Sequence, residues 1–173
     1  MAEQITRKEA PPGSTWTPEK YFPTWKDWEA EYQQAVEDLP KLAAFNGKLK
    51  DGPGSIADFI EELSTQIRPI YRLYIFAYYA NAVDGEDQDA KAYMGQGMGL
   101  LGRAMATISF SDPELLEIGE KLMEWAEGEP KISEYQHYFE NLLRRKEHTR
   151  SAEVEEVLGM LAEPFGLVEN VAS

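Results

Sequence analysis

The sequence has no cysteine and only two histidines among its 173 residues. Disulfide bonds, thiol catalysis and cysteine-ligated metals are therefore excluded. A histidine-rich zinc site is nearly excluded as well, and the motif His-Glu-x-x-His does not occur. The lack of cysteine is compatible with a reducing compartment.

Basic residues are scarce relative to acidic ones. The chain carries 17 lysines and arginines against 31 aspartates and glutamates, which gives a net charge of −14. Such a surface repels phosphate-rich partners, so we expect neither nucleic acid nor an anionic membrane as a partner.

A long uncharged apolar run is also missing. The longest candidate extends from Leu73 to Val83, bounded by Arg72 and Asp84, whereas a membrane-spanning helix needs about 20 residues. The first 13 residues lack the apolar core of a signal peptide. We therefore expect a cytoplasmic protein.

One long amphipathic helix dominates what is present. Its first apolar face has the i, i+3, i+4 spacing of a helix and comprises Ile56, Phe59, Ile60, Leu63, Ile67, Ile70, Tyr71, Tyr74 and Tyr78. A second face, with Leu73, Phe76, Ala80 and Val83, appears in its second half. Two apolar faces predict that other helices cover this half on both sides. We expect Ser55 to cap the helix, Pro69 to kink it and Asp84-Gly85 to end it.

The remaining patterns are helical too. Thr24, followed by Asp27, has the spacing of a capping box. Prolines interrupt the aromatic stretch before it, which indicates an extended arm pinned against the domain. We predict an all-α fold: an antiparallel bundle of about six helices around a long, proline-kinked central helix. The expected boundaries are a tail and extended arm over 1–23, a helical domain over 24–165 and a C-terminal tail over 166–173.

The helix predicted from Asp87 to Phe110 contains four glycines, Gly95, Gly97, Gly99 and Gly102. A phosphate-binding loop would need a preceding strand and a Lys-Ser/Thr pair, and both are missing. Because each glycine inside a helix costs about 1 kcal/mol relative to alanine, packing must offset them. We expect them to let this helix approach the tyrosines of the long helix closely.

Two polar clusters near the C-terminus were weighed as sites. Glu134-x-x-His137 has the spacing of half a di-iron site, but the second half is missing, which favours a solvated surface pair. The basic run from Arg144 to Arg150, with His148, has two readings. It either complements the negative end of a helix dipole or contacts a carboxylate from a peptide or an adjoining domain. The residues alone therefore indicate no self-contained active site.

Several stretches, taken in order, resemble the N-terminal helical domain of oligoendopeptidase F, in the M3 family of zinc metallopeptidases. They are Trp16 with Tyr21-Phe22-Pro23 and Trp25-Lys-Asp-Trp28, then Leu42 to Leu49, Arg72 to Tyr79, and Tyr135 to Ser151 with Glu153 to Leu158. The resemblance covers about residues 15–165 and is strongest in the Tyr135 to Ser151 segment.

The resemblance implies a zinc endopeptidase that hydrolyses short peptides inside a channel, with this chain forming a wall. The zinc ligands and the general base would lie in a C-terminal catalytic domain with His-Glu-x-x-His, which this chain lacks, so no catalytic residue and no cofactor are assigned here. Candidate contacts to peptide or to that domain are Tyr74, Tyr78, Tyr135, Arg144, Arg145 and His148. The alternative is a stand-alone helical module that binds a peptide or protein without enzymatic activity. Whether the chain is truncated, split or a stand-alone relative stays open.

Overall fold

The all-α prediction is confirmed in the computed structural model, which describes residues 11, 13 and 20–146, with only the helix assignment given for Lys146. The helices are α1 Trp25–Ala43, α2 Pro53–Val83, α3 Gln88–Thr107, α4 Ser111–Ile118, α5 Lys121–Gly128, α6 Pro130–Ser133 and α7 Gln136–Lys146. A single 3-10 turn, Leu49–Asp51, lies between α1 and α2. Trp16, His148 and the stretch from Glu153 to Leu158 lie outside the described residues.

The start of α1 follows the capping-box prediction. The Thr24 hydroxyl accepts a hydrogen bond from the backbone N–H of Asp27, and the Asp27 carboxylate accepts one from the backbone N–H of Thr24. Each side chain thus gives an acceptor to the other residue's backbone N–H at the start of the helix, where the usual partner four residues earlier is missing. Pro40 lies inside α1, which continues past it as one helix to Ala43.

The long central helix α2 has 31 residues and is bent, with Pro69 in its interior. The kink and the end before Asp84 are confirmed. The prediction for its start is wrong: α2 begins at Pro53, with Gly52 at the N-cap position, so Ser55 lies in the first turn. Proline is favoured at the first helical position because its missing N–H would have no partner there.

Two compact units divide the chain, residues 1–114 and residues 115–173. In the first unit, α1, α2 and α3 contact one another. Trp28 is fully buried, and its indole N–H donates to the carbonyl of Leu73 at 3.0 Å. Phe22, in the predicted arm, is buried with its ring 4.9 Å from that of Phe76. The arm therefore ends pinned to the helices.

The loop between α1 and α2 is held by a buried carboxylate. Glu114, on α4, accepts hydrogen bonds from the backbone N–H of Gly47 at 2.5 Å and of Leu49 at 3.1 Å. Gly47 has φ 81°, a left-handed conformation that favours glycine.

In the second unit, α5 contacts both α6 and α7. The fully or nearly fully buried apolar side chains there are Leu115, Leu122, Ala126, Ile132, Phe139 and Leu142.

Candidate functional site

The second half of α2 leaves an aromatic surface exposed, which we call the tyrosine face. Its residues lie three or four positions apart along the helix and are Tyr71, Tyr74, Ile75, Tyr78 and Tyr79. Tyr74 is half-buried and the other four are exposed, Tyr79 at 53%. Ring centroids are 6.1 Å apart for Tyr74 and Tyr78, and 5.6 Å apart for Tyr78 and Tyr79.

Helix α3 adds a stripe of flexible apolar side chains beside this face. The methionine stripe comprises Met94, Met98, Leu101 and Met105, spaced i, i+4, i+7 and i+11. Met98 is 62% exposed, and the Met94 sulfur lies 3.6 Å from Nδ2 of Asn81 on α2.

The opposite side of α3 faces α1. There Tyr93 stacks on Trp25 at 4.1 Å, and Arg103 donates to the hydroxyl of Tyr32 at 2.8 Å. The methionine stripe therefore borders α2 on the side away from α1.

Gly97 explains how α3 comes so close to α2. A Cβ added at Gly97 would lie 3.0 Å from the Cα of Tyr74, closer than nearly all Cβ contacts in proteins. The same addition at Gly95, Gly99 or Gly102 would meet nothing within 4 Å. The prediction of a close approach is thus confirmed at one of the four glycines, and the contact is with tyrosine backbone rather than with a ring.

The predicted cover on both sides of α2 is wrong for the described chain. Leu73, Phe76 and Ala77 are buried, whereas the tyrosine face is exposed. Helix α3 contacts α2 at the backbone of Tyr74 through Gly97, and this contact leaves Tyr71, Tyr78 and Tyr79 exposed.

A small pocket adjoins the tyrosine face. It has a volume of about 280 Å³ and is lined by Tyr21, Arg72, Ile75, Phe76 and Tyr79. Arg72 donates to both carboxylate oxygens of Glu31, and its guanidinium lies 5.3 Å from the centre of the Phe22 ring. The pocket is apolar, and its one cation is already paired.

The remaining candidate contacts belong to the second unit. Tyr135 is half-buried just before α7, and Arg144 and Arg145 are exposed near its end. Arg144 donates to Asn141, whose amide nitrogen lies 3.0 Å from Nε2 of His137. His148 lies outside the described residues, and a role of these side chains in binding stays a prediction.

The reading of Glu134 and His137 as solvated residues is consistent with the structure. Both are exposed, and Nδ1 of His137 lies 3.8 Å from the carboxylate of Glu140, one turn further along α7.

The zinc implied by the resemblance finds no ligand set here. In residues 11, 13 and 20–146, no group of three or more histidines, aspartates or glutamates is placed to hold a metal ion. The hydrogen bond that Tyr93 donates to Glu29 at 2.5 Å raises the pKa of Tyr93 to about 12. This pair belongs to the contact between α1 and α3, and no nucleophile with an adjacent base accompanies it.

None of the helices in the described part of the chain is both long and apolar enough to cross a membrane.

The folds of known structures match this arrangement. The putative peptidase from Chlamydophila abortus superposes with a TM-score of 0.77 at 21% identity, over 96% of this chain and 28% of its own. Oligoendopeptidase-F from Enterococcus faecium superposes with a TM-score of 0.65 at 24% identity, over 82% of this chain and 28% of its own. The helical fold is therefore one found within peptidases.

Sequence comparison gives the relationship. The family model for Oligopeptidase F matches residues 114–173. The plasmid-encoded oligoendopeptidase F of Lactococcus lactis subsp. cremoris is 27% identical over 92% of this chain and 27% of its own length. Oligopeptidase PepF of Bacillus subtilis is also 27% identical, over 95% of this chain and 26% of its own length. The resemblance is confirmed: the chain is similar to oligoendopeptidase F over most of its own length, and it spans about a quarter of the length of these proteins.

Sequence reasoning named Tyr74 and Tyr78 but missed Ile75, Tyr79, Met98 and Met105 as exposed surface. The sequence does show both surfaces as regular helical spacing of apolar residues, in the tyrosine face and in the methionine stripe. What the spacing could not show is which apolar stripe the neighbouring helices cover, because that depends on where α3 docks.

Proposed function

We propose that this chain is a non-catalytic helical part of an oligoendopeptidase F-like zinc peptidase. The observation that carries the proposal is the exposed tyrosine face and methionine stripe, on a chain that spans about a quarter of its relatives' length. Exposed apolar patches of this kind mark contacts with other polypeptide or ligand.

In this proposal the tyrosine face and the methionine stripe form part of the wall of a peptide channel and contact the catalytic part of the enzyme. Tyrosine and methionine suit such a surface, since they offer a large contact area and adapt to irregular partners. The intact enzyme would hydrolyse short peptides with zinc held by its catalytic part. A cytoplasmic location is part of the same proposal, and it agrees with the cysteine-free composition.

A second candidate function is a stand-alone module that binds peptides or a protein through the tyrosine face. It too is favoured by the exposure of Tyr71, Tyr78 and Tyr79. Calorimetry of the 173-residue chain with short apolar peptides separates the two proposals. The module would bind them with measurable heat, whereas a part of a larger enzyme would not bind them strongly alone.

A fusion protein tests the first proposal. This chain would replace the matching segment of Bacillus subtilis oligopeptidase PepF, because linkage raises the effective concentration of two parts that differ in origin. We expect the fusion to cleave a quenched short peptide with zinc and to lose activity with a chelator.

Paired variants of the fusion then probe the surface. Replacing both Tyr78 and Met98 by lysine should lower kcat/KM at least about tenfold, because it places two charges on the apolar surface. The matched control is Gln96→Lys, an exposed residue on the same helix outside the methionine stripe. Equal activity of the double variant and the control would argue against a role for this surface.

A further inference from the structure

A groove in the first unit carries an excess of negative charge. It lies between α1 and α2, has a volume of about 180 Å³ and includes Glu31, Asp38, Lys41, Glu62 and Gln66 in its lining. At about 30 Å³ per water, this volume accommodates several solvent molecules or one side-chain head group.

Two of the three carboxylates are already neutralised. Lys41 lies 2.7 Å from Asp38, and this hydrogen bond lowers the pKa of Asp38. Arg72 pairs with Glu31. Within the described part of the chain, no cation lies within salt-bridge distance of Glu62, which accepts a hydrogen bond from Nε2 of Gln66 at 2.6 Å. Lys41 also attracts Glu62 through space, but with three carboxylates against Lys41 and Arg72 the groove keeps an excess of one negative charge.

Gln66 supplies an independent observation. It is only 5% exposed, and its Oε1 is buried with no protein donor. Its Nε2 donates to Glu62 and to the carbonyl of Asp38 at 3.0 Å. Both acceptors belong to groove-lining residues, so the carboxamide lies in the groove wall. Exchanging the amide nitrogen and oxygen would set the oxygen against two acceptors, so the orientation is fixed by its neighbours.

Pro69 adds a further acceptor at the same place. Because proline has no N–H, it cannot donate to the carbonyl of Thr65 four residues earlier in α2. Thr65 and Pro69 both line the groove. The groove wall thus combines an anionic carboxylate, a buried amide oxygen and a backbone carbonyl without its usual helical donor.

We propose that this groove binds a cationic group with several N–H donors, the guanidinium of an arginine side chain. A guanidinium presents five donors in a planar fork and carries its charge at all relevant pH values, which matches a set of acceptors around the Glu62 carboxylate and a net negative charge. This site is separate from the tyrosine face and does not rest on the proposed function.

Nuclear magnetic resonance of the full 173-residue chain tests the site, with methylguanidine as the probe. We expect saturable shifts of the Gln66 side-chain amide signals. Tetramethylammonium, which has the same charge and no N–H donor, should give no saturable shift. Saturation by tetramethylammonium with similar affinity, or no saturation by methylguanidine, would overturn the proposal. The second outcome is expected if the groove holds solvent only.

Two variants that each remove one negative charge test whether methylguanidine binds in the groove. Glu62→Gln should weaken methylguanidine binding at least about tenfold, because it removes a charge-assisted partner. Glu61→Gln is the matched control, since Glu61 is the exposed neighbour outside the groove lining. Equal weakening by both variants would indicate diffuse charge attraction and contradict a built site.

Discussion

The carboxylate of Glu114 connects α4 to the loop that follows α1, through two backbone N–H groups that no helix satisfies. Hydrogen bonds to charged groups contribute about 1.5 to 3 kcal/mol each, and unpaired buried donors are costly. Glu114→Ala should therefore lower the free energy of unfolding by about 2 to 4 kcal/mol, measured by urea denaturation.

The control for this substitution is Glu127→Ala, which removes an exposed glutamate from α5. Exposed substitutions usually change stability by less than about 0.5 kcal/mol. A loss at Glu114 no larger than at Glu127 would show that the two hydrogen bonds do not hold the loop.

The contact of Tyr93 with Glu29 gives a prediction in alkaline solution. The pKa of Tyr93 is raised from 10.0 to about 12, first by the hydrogen bond to Glu29 and then by desolvation. A raised pKa in the folded state means that the bond stabilises the fold fully below pH 10. That stabilisation is lost as the pH rises from about 10 to about 12.

Ultraviolet titration measures this effect. Tyr93 should ionise late, and Glu29→Gln should bring its pKa back toward 10. Tyr93→Phe identifies the late signal by removing it. A late tyrosine that persists unchanged in Glu29→Gln would refute the assigned cause.

In helix α3, Gly97 allows the close approach to α2, whereas the other glycines of this helix make no such contact. Gly97→Ala would force a Cβ against the backbone of Tyr74, which cannot yield as a flexible side chain can. We expect a loss of about 1 to 3 kcal/mol in unfolding free energy despite the better helix propensity of alanine.

Gly99→Ala supplies the comparison on the same helix. It meets open space, so alanine should gain about 0.5 to 1 kcal/mol through propensity alone. Thermal unfolding of the two variants tests this explanation. The unfolding temperature should fall for Gly97→Ala and rise for Gly99→Ala.

Some features of helix α2 could be predicted from the sequence and others could not. Its length, its bend with Pro69 in the interior and its end before Asp84 follow from local chemistry that the sequence displays. Its start was misjudged because Pro53, pre-organised for the first turn, competed with the better capping side chain of Ser55. The exposure of Tyr78 and Tyr79 depends on the docking of α3, which no local pattern encodes.

At the scale of the whole molecule, the all-α class and the similarity to oligoendopeptidase F could be predicted from the sequence. The first follows from helical spacing throughout, and the second from ordered stretches such as Arg72 to Tyr79. The groove around Gln66 was not accessible, because it brings together residues of α1 and α2 that are 28 positions apart. The boundaries expected at 23/24 and 165/166 stay predictions.

The proposed function makes this chain a non-catalytic part of a larger peptidase. The most direct measurement is hydrolysis of a quenched short peptide by the purified 173-residue chain with added zinc. We expect no hydrolysis above that of buffer, since no described cluster can hold the metal. Zinc-dependent hydrolysis by the chain alone, lost on chelation and regained when zinc is restored, would contradict the account.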